Sequence, residues 1–457
     1  MRTIVTATLA AACLTSGCRE GASPPASVAT VSVALENSDL FVGLTTSATA
    51  QVVDVDGNRL SGRAVTWTSS EPTVATIGGA GATAVIVAVG PGTTNISASS
   101  EGVTGLASLR VTTAAFAQIS VGHLHTCGLT TSGSAWCWGL NTDAQLGNGI
   151  EFELNRSQPT QVVGGLTFVE VAAGVSHTCG LSTSSAVYCW GSNHFRQLGN
   201  ASDIRSPIPV RVSSNVSFRA ITAGPYSTCG LSTTGDVYCW GASFFPSDRG
   251  PFNVPTLLQS GKAFVELRAL GEHWCARTTS TTFCWGVNGF GQLGDGTTTH
   301  RTEALPVVGA PQFVRLAGHP GGRASCGLTV AGSLWCWGSL AFPDGSTGVQ
   351  LVPTLVPRVP PLRDIGLGEF LSCVLTVDGG VLCWGNNQFG QLGDGTTIDR
   401  PAAAPVSGNL QFVQIGLGYL HACGLTNQGV AFCWGRNAYG ELGDGTFTNR
   451  LTPTRVK

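Results

Sequence analysis

The tripeptide Cys-Trp-Gly recurs seven times, at Cys137-Trp138-Gly139, Cys189-Trp190-Gly191, Cys239-Trp240-Gly241, Cys284-Trp285-Gly286, Cys336-Trp337-Gly338, Cys383-Trp384-Gly385 and Cys433-Trp434-Gly435, at intervals of 52, 50, 45, 52, 47 and 50 residues. Such a chain folds as an array, because each unit buries its faces only against its neighbours. Each copy opens with a strand such as Phe168-Val169-Glu170-Val171, passes through a Thr-Cys-Gly-Leu strand, and after the Trp reaches a Pro-led strand such as Pro159-Thr160-Gln161-Val162. Four short strands per copy and seven copies predict a β-propeller over 116–457. Composition agrees: 62 Gly and a single Met suit turns and strands rather than helical cores. Basic and acidic residues nearly cancel, 24 against 26, which leaves no field to hold nucleic acid phosphates.

Each copy carries a second Cys. The pairs are Cys127/Cys137, Cys179/Cys189, Cys229/Cys239, Cys275/Cys284, Cys326/Cys336, Cys373/Cys383 and Cys423/Cys433, ten residues apart in every copy but the fourth, where they are nine apart. Two Cys facing each other across a hairpin at even spacing need an odd loop. The midpoints Ser132, Thr234, Ala331, Asp378 and Gln428 are each followed by Gly, as a three-residue loop with a left-handed third position requires. Opposed residues lie about 4.5–5.5 Å apart at Cα, within reach of a disulfide. Seven disulfides are therefore expected in an oxidising compartment, each contributing roughly 2–3 kcal/mol. Cys275/Cys284 is the pair expected to be strained or mispaired. The rival is a zinc site on His125, His177 or His421, which precede a Cys by two residues; it does not repeat around the wheel, and no metal or other cofactor is expected.

Ahead of the repeats, Met1-Arg2, the apolar run Ile4 to Leu14 and Leu14-Thr15-Ser16-Gly17-Cys18 read as an export signal over 1–17. The last stretch resembles the lipobox of bacterial lipoproteins, which implies acylation at Cys18; plain secretory cleavage is the alternative, since Thr15 stands where that pattern most often has Leu. The expectation is a chain in the cell envelope or secreted, touching a membrane only through this anchor, with 18–27 as a polar tether. Residues 28–112 hold no Cys and show short alternating stretches that predict a small β-sandwich. The run Val65-Thr66-Trp67-Thr68 to Ile77, with Val89-Gly90-Pro91-Gly92 to Ile96, resembles the bacterial immunoglobulin-like group 2 domain, which implies a spacer or adhesive module. Asp54-Val55-Asp56-Gly57-Asn58 begins like a calcium loop, but Arg59 and Val65 stand where Gly and Glu belong, so it reads as a hairpin turn. The fold class is all-β: a seven-bladed propeller preceded by an immunoglobulin-like sandwich.

In the repeats, Gly-x-x-His-Thr-Cys-Gly-Leu and Trp285-Gly286-x-Asn288-x-x-Gly291-Gln292-Leu293-Gly294-Asp295-Gly296-Thr297 resemble the regulator of chromosome condensation family over 116–457. The resemblance implies a seven-bladed propeller. Its members include a nuclear guanine-nucleotide exchange factor, a plant ultraviolet receptor and a secreted bacterial inhibitor of β-lactamase, so it does not fix an activity. Exchange on a small GTPase conflicts with export. The receptors place a Trp two residues before the His, where this chain has His123, Val175 and Tyr419. The repeated Trp alternate with Cys and face the adjoining blade.

Antiparallel parity puts the loops between first and second strands, and between third and fourth, on one face. The opposite turns are bland. The varied face carries Tyr226, Phe244, Phe245, Trp274, Arg323, Phe342, Phe370 and Tyr419 as candidate anchors of a protein-binding surface; the competing reading packs these rings down on their own blades. Gly289 to Gly294 matches GxGxxG without a following helix, and Asp295, Asp394 and Asp444 occupy one repeated turn position. No catalytic motif emerges. The reading is a monomeric, non-catalytic binding protein with an unidentified protein partner; the alternatives are an inhibitor of a secreted enzyme and a hydrolase.

Overall fold

The computed structural model describes residues 26–42, 45–112, 115–151, 155–242, 251–318, 322–341, 347–357 and 359–457. Cys18, Phe244, Phe245 and Phe342, with the signal and nearly all of the tether, lie outside them. The described residues form 36 strands and no helix. The chain divides into two compact units: residues up to Ser38 with Thr45–Val87 and Thr93–Arg110, and Val111–Lys457 with Asp39–Leu44 and Ala88–Gly92.

Eight strands precede the repeats and form two four-stranded sheets, Thr30–Leu35, Thr45–Val53, Thr83–Ala88 and Ala75–Gly78 in one, Asp39–Phe41, Val103–Thr112, Gly92–Ser100 and Thr66–Ser69 in the other. Thr45–Val53 alternates exposed and buried residues along its length, as a strand with one face on a core does. The calcium-like segment is a turn: both Asp56 N and Asn58 N donate to Asp54 Oδ1, and Gly57 takes φ +82°.

Seven four-stranded antiparallel sheets follow, each contiguous in the chain. Blade one is Phe116–Val121, His125–Thr130, Ala135–Gly139 and Arg156–Gln161, and blade seven is Phe412–Leu417, His421–Thr426, Ala431–Gly435 and Arg450–Arg455. The last strand therefore completes blade seven and lends nothing to blade one. Every first strand but the fourth blade's carries a bulge or register shift.

Every Cys pair is directly opposed in the second-to-third hairpin and disulfide-bonded, with Cα atoms 4.1–4.2 Å apart. That is the close, non-hydrogen-bonded kind of antiparallel pair, a little tighter than the spacing expected from sequence. Gly133, Gly235, Gly332, Gly379 and Gly429 hold φ of +76° to +91°, and Ser185 takes φ +62° in blade two. Cys275–Cys284 corrects the sequence reading. The hairpin of blade four closes through Thr278 and Thr281, which leaves a two-residue turn, and this even loop keeps the nine-residue pair in register.

The repeat motifs are inter-strand and inter-blade fittings. A Cβ on Gly180 would sit 2.5 Å from the Phe168 ring, and one on Gly424 2.5 Å from Phe412. Blade six replaces both partners, with Leu362 for the Phe and Val374 for the Gly. The Trp of Cys-Trp-Gly are at most 2% exposed. Trp138, Trp190, Trp337 and Trp434 donate their indole N–H to the carbonyl of Glu441, Gln145, Gln292 and Gln391 in the preceding blade, at 2.8–3.1 Å. The Gly of the Gln-Leu-Gly loop lies flat on that indole: a Cβ on Gly147 would fall 2.6 Å from Trp190 Nε1.

Candidate binding face

The buried histidines bear on chemistry first. His125 Nε2 lies 2.9 Å from Thr178 Oγ1, His177 Nε2 2.9 Å from Thr228 Oγ1, His273 Nε2 2.6 Å from Ser325 Oγ and His421 Nε2 3.1 Å from Thr126 Oγ1, each across a blade joint. His273, also two residues before a Cys, is a fourth member that the sequence reading passed over; Leu270 stands where Gly122 and Gly174 open the equivalent turns, so the Gly-x-x-His spelling is broken there. Each hydroxyl donates its single proton to a Gln or Glu carbonyl, at 2.9 Å for Thr178 to Gln145, 3.1 Å for Thr228 to Gln197, 3.0 Å for Ser325 to Gln292 and 3.2 Å for Thr126 to Glu441. The imidazole must then donate from Nε2, which fixes the neutral tautomer with an unprotonated Nδ1. Burial, reinforced by neighbouring histidines, lowers His125 to about 3; burial lowers His177 to about 4 and, with His123 and Arg436 adding to it, His421 to about 3. These pairs resemble nucleophile–base dyads in distance only. They are at most 2% exposed, their hydroxyl protons are already committed, and no substrate reaches them. They are joints.

The face of first-to-second and third-to-fourth loops is different. The third-to-fourth loop is rigid by construction. Asn193 Oδ1 accepts from Leu198 N, and Gln197 Oε1 accepts from Phe195 N. In later copies Asn288, Asn387 and Asn437 bond the carboxylates of Asp295, Asp394 and Asp444 at 3.1–3.2 Å, and Arg301, Arg400 and Arg450 close on the same carboxylates. Although burial opposes it, hydrogen bonds from Thr and Arg hold these three carboxyls below the usual range. The Asp are structural, as read from sequence.

These braced loops hold up rings that meet the next blade. Phe195, 43% exposed, packs on Tyr226, 40% exposed, with centroids 4.7 Å apart. Phe290 lies under the Arg323 guanidinium, 5.3 Å from its centroid. Phe370 meets Tyr419 edge-on at 5.3 Å, and Tyr419 meets His123 at 4.3 Å. Tyr226, Arg323, Phe370 and Tyr419 are thus on this face and accessible. Trp274 is not. It is 2% exposed and stacked on Trp285 at 6.5 Å, so it is core. Its place before the Cys is the column occupied by Thr126, Thr178, Thr228 and Ser325, which always turns toward a neighbouring blade. Phe195 and Phe290 were missed in the sequence; the signal was an aromatic two residues before the Gln of Gln-Leu-Gly.

At the centre of the face is a cavity of about 130 Å³. All seven blades line it at or beside their first turn, among them through His123, Val175, Pro225, Gly271, Gly318, Glu369 and Tyr419. Backbone bonds knit the rim, His123 N to Gly174 O and Tyr419 N to His123 O, both 3.1 Å. His123 is held below its ordinary range by burial and by the Arg436 guanidinium.

Models of the regulator of chromosome condensation (RCC1) repeat match residues 132–181, 184–231, 378–425 and 428–457, and 116–145, 168–197, 218–245, 363–391 and 412–441. Residues 116–245 and 363–457 thus carry RCC1 repeats, within a seven-bladed propeller. Its relatives include HERC4 of Rattus norvegicus, named as a probable E3 ubiquitin-protein ligase, 29% identical over 194 residues, which is 42% of this chain and 14% of that protein. HERC3 of Homo sapiens is 40% identical over 96 residues, 20% of this chain and 9% of its own length. The RCC1-repeat wheel also superposes on Prp20p from Saccharomyces cerevisiae with a TM-score of 0.62 at 20% identity, covering 72% of this chain and 87% of that one. At that identity the likeness is one of fold.

Proposed function

We propose that this chain is an exported, lipid-anchored binding protein without catalytic activity, in which the propeller holds a protein partner on its braced loop face and the leading immunoglobulin-like sandwich spaces it from the membrane. The observation that carries the reading is the set of ring clusters at blade joints, Phe195 with Tyr226, Phe290 with Arg323, and Phe370 with Tyr419 and His123, all on one face and all partly open. Aromatic and Arg side chains on a rigid base lose little freedom on association, which is what interface anchors need. Seven disulfides in a 457-residue chain support a compartment outside the cytosol, and Cys18 would carry the anchor.

The test is capture from envelope extract by the full chain. The wild type should retain a partner that a Phe195→Ser/Phe370→Ser chain releases about tenfold more readily or more. Equal retention by both would overturn the binding face. Incorporation of labelled palmitate that persists in Cys18→Ser would overturn the anchor.

A further inference from the structure

We propose that the face of the second-to-third turns carries a separate site, a polar pocket at the seam of blades two and three that binds a tetrahedral oxyanion, the phosphate group of a free ion or of an ester. The site stands apart from the loop face and does not depend on the binding-face reading.

Five of the hairpins place Gly133, Gly235, Gly332, Gly379 or Gly429 at the left-handed position of the turn. A Cβ there would collide: on Gly133 it would lie 2.5 Å from Thr167 Cγ2. Blade two places Ser185 there instead, at φ +62°, in the region that favours glycine. Ser217 stands in the place of Thr167 and lacks its methyl, which leaves room for the added side chain. A side chain kept in an unfavourable backbone conformation points to a use for it. Ser185 lines a pocket of about 60 Å³ together with Ser184, Arg211, Ser214, Asn215 and Ser217. Among the described residues, the Arg211 guanidinium, the Ser185 hydroxyl and the Asn215 carboxamide have no hydrogen-bonding partner.

The pocket holds roughly four water-sized groups, the bulk of one phosphate and far below the ~300 Å³ at which small-molecule sites begin. Among the described lining residues none is acidic, and Arg211 is the one cation. A neutral occupant would leave that guanidinium without a counter-charge, whereas a phosphate takes charge-assisted bonds from it. The free donors come from three segments, the hairpin turn, the end of the fourth strand and the connection to blade three. They surround a tetrahedral group better than a planar carboxylate. Past Arg211 and Asn215 the pocket opens into a wider cleft of about 510 Å³ bordered by Ser213, so the remainder of an esterified molecule stays outside.

The test is equilibrium dialysis of the full chain against labelled inorganic phosphate and, separately, glycerol 3-phosphate, in potassium chloride at constant ionic strength. Binding should saturate, and affinity should fall about tenfold or more in Arg211→Gln. Arg455→Gln, at the same register of blade seven, should change nothing. Ser185→Gly, which restores the residue of the other hairpins, should weaken binding several-fold while raising the melting temperature, a combination that misfolding does not mimic. Tighter binding of glycerol 3-phosphate would assign the group to an ester, and tighter binding of the free ion to inorganic phosphate; either supports the site. No saturable binding of either probe, equal displacement by acetate, or undiminished binding in Arg211→Gln would overturn it.

Discussion

A glycine in Thr-Cys-Gly-Leu is defined by the ring above it. Gly180 has no room for a Cβ because Phe168 occupies the space, and blade six shows the solution when a larger residue is used: Val374 is accompanied by Leu362 in place of Phe. Overpacking of this kind costs about 1–3 kcal/mol. Gly180→Val should therefore lower the melting temperature, and adding Phe168→Leu should restore part of the loss; a double mutant no better than the single one would mean that the two positions do not compensate. The same reasoning applies beneath the imidazoles, where a Cβ on Gly174 would lie 2.5 Å from His177 Cε1. The Gly-x-x-His pattern of blades one, two and seven is thus a packing pair three residues apart, not a ligand set.

At the scale of hairpins and joints, two effects separate. The first is covalent. Removing one rung, as in Cys179→Ala/Cys189→Ala, should cost about 2–3 kcal/mol in thermal or denaturant melts without changing the fold. The second is protonic. His125, His177 and His421 are neutral when folded, with values of about 3, 4 and 3, against the ordinary 6.5. Their contribution is complete above pH 6.5. As pH falls from 6.5 toward 4 only the unfolded chain takes up these protons, so stability declines by ~1.4 kcal/mol per pH unit for each histidine. Glu170, Asp364 and Glu441, whose carboxyls burial raises, act in the opposite sense. The difference between wild type and His125→Gln isolates the histidine: the slope of melting temperature against pH should be shallower in the variant, and identical slopes would refute the latch. Much of this element scale was legible in sequence. The Cys spacing and the Gly after each midpoint carry the hairpin register, since only an odd loop with a left-handed third residue satisfies both. Trp274 and His273 were harder. In blade four Leu270 replaces the Gly of the first turn and the hairpin between the two Cys is one residue shorter, so the motif spelling is lost although His273 and Trp274 keep their regular places before Cys275. The ring pairs of the loop face were half legible, because Tyr226 announces itself while its support, Phe195, comes from another copy 31 residues earlier.

For the whole molecule, the closing joint is built like the joint between blades one and two. His421, Thr126, Glu441 and Trp138 repeat across the closure the bonds that His125, Thr178, Gln145 and Trp190 make between blades one and two. Thr126→Val should therefore destabilise the protein about as much as Thr178→Val, roughly 1–3 kcal/mol each by denaturant melts. A much larger loss at Thr126 would show that closure bears a load the other joints do not. Because each blade is drawn from one uninterrupted stretch of 41 to 46 residues, synthesis delivers it whole. Each hairpin then finds its cystine partner within ten residues, long before a competing thiol from a later copy emerges. Only the docking of blade seven on blade one waits for the seventh repeat, so assembly proceeds repeat by repeat with the wrong sulfur pairings kept out of reach.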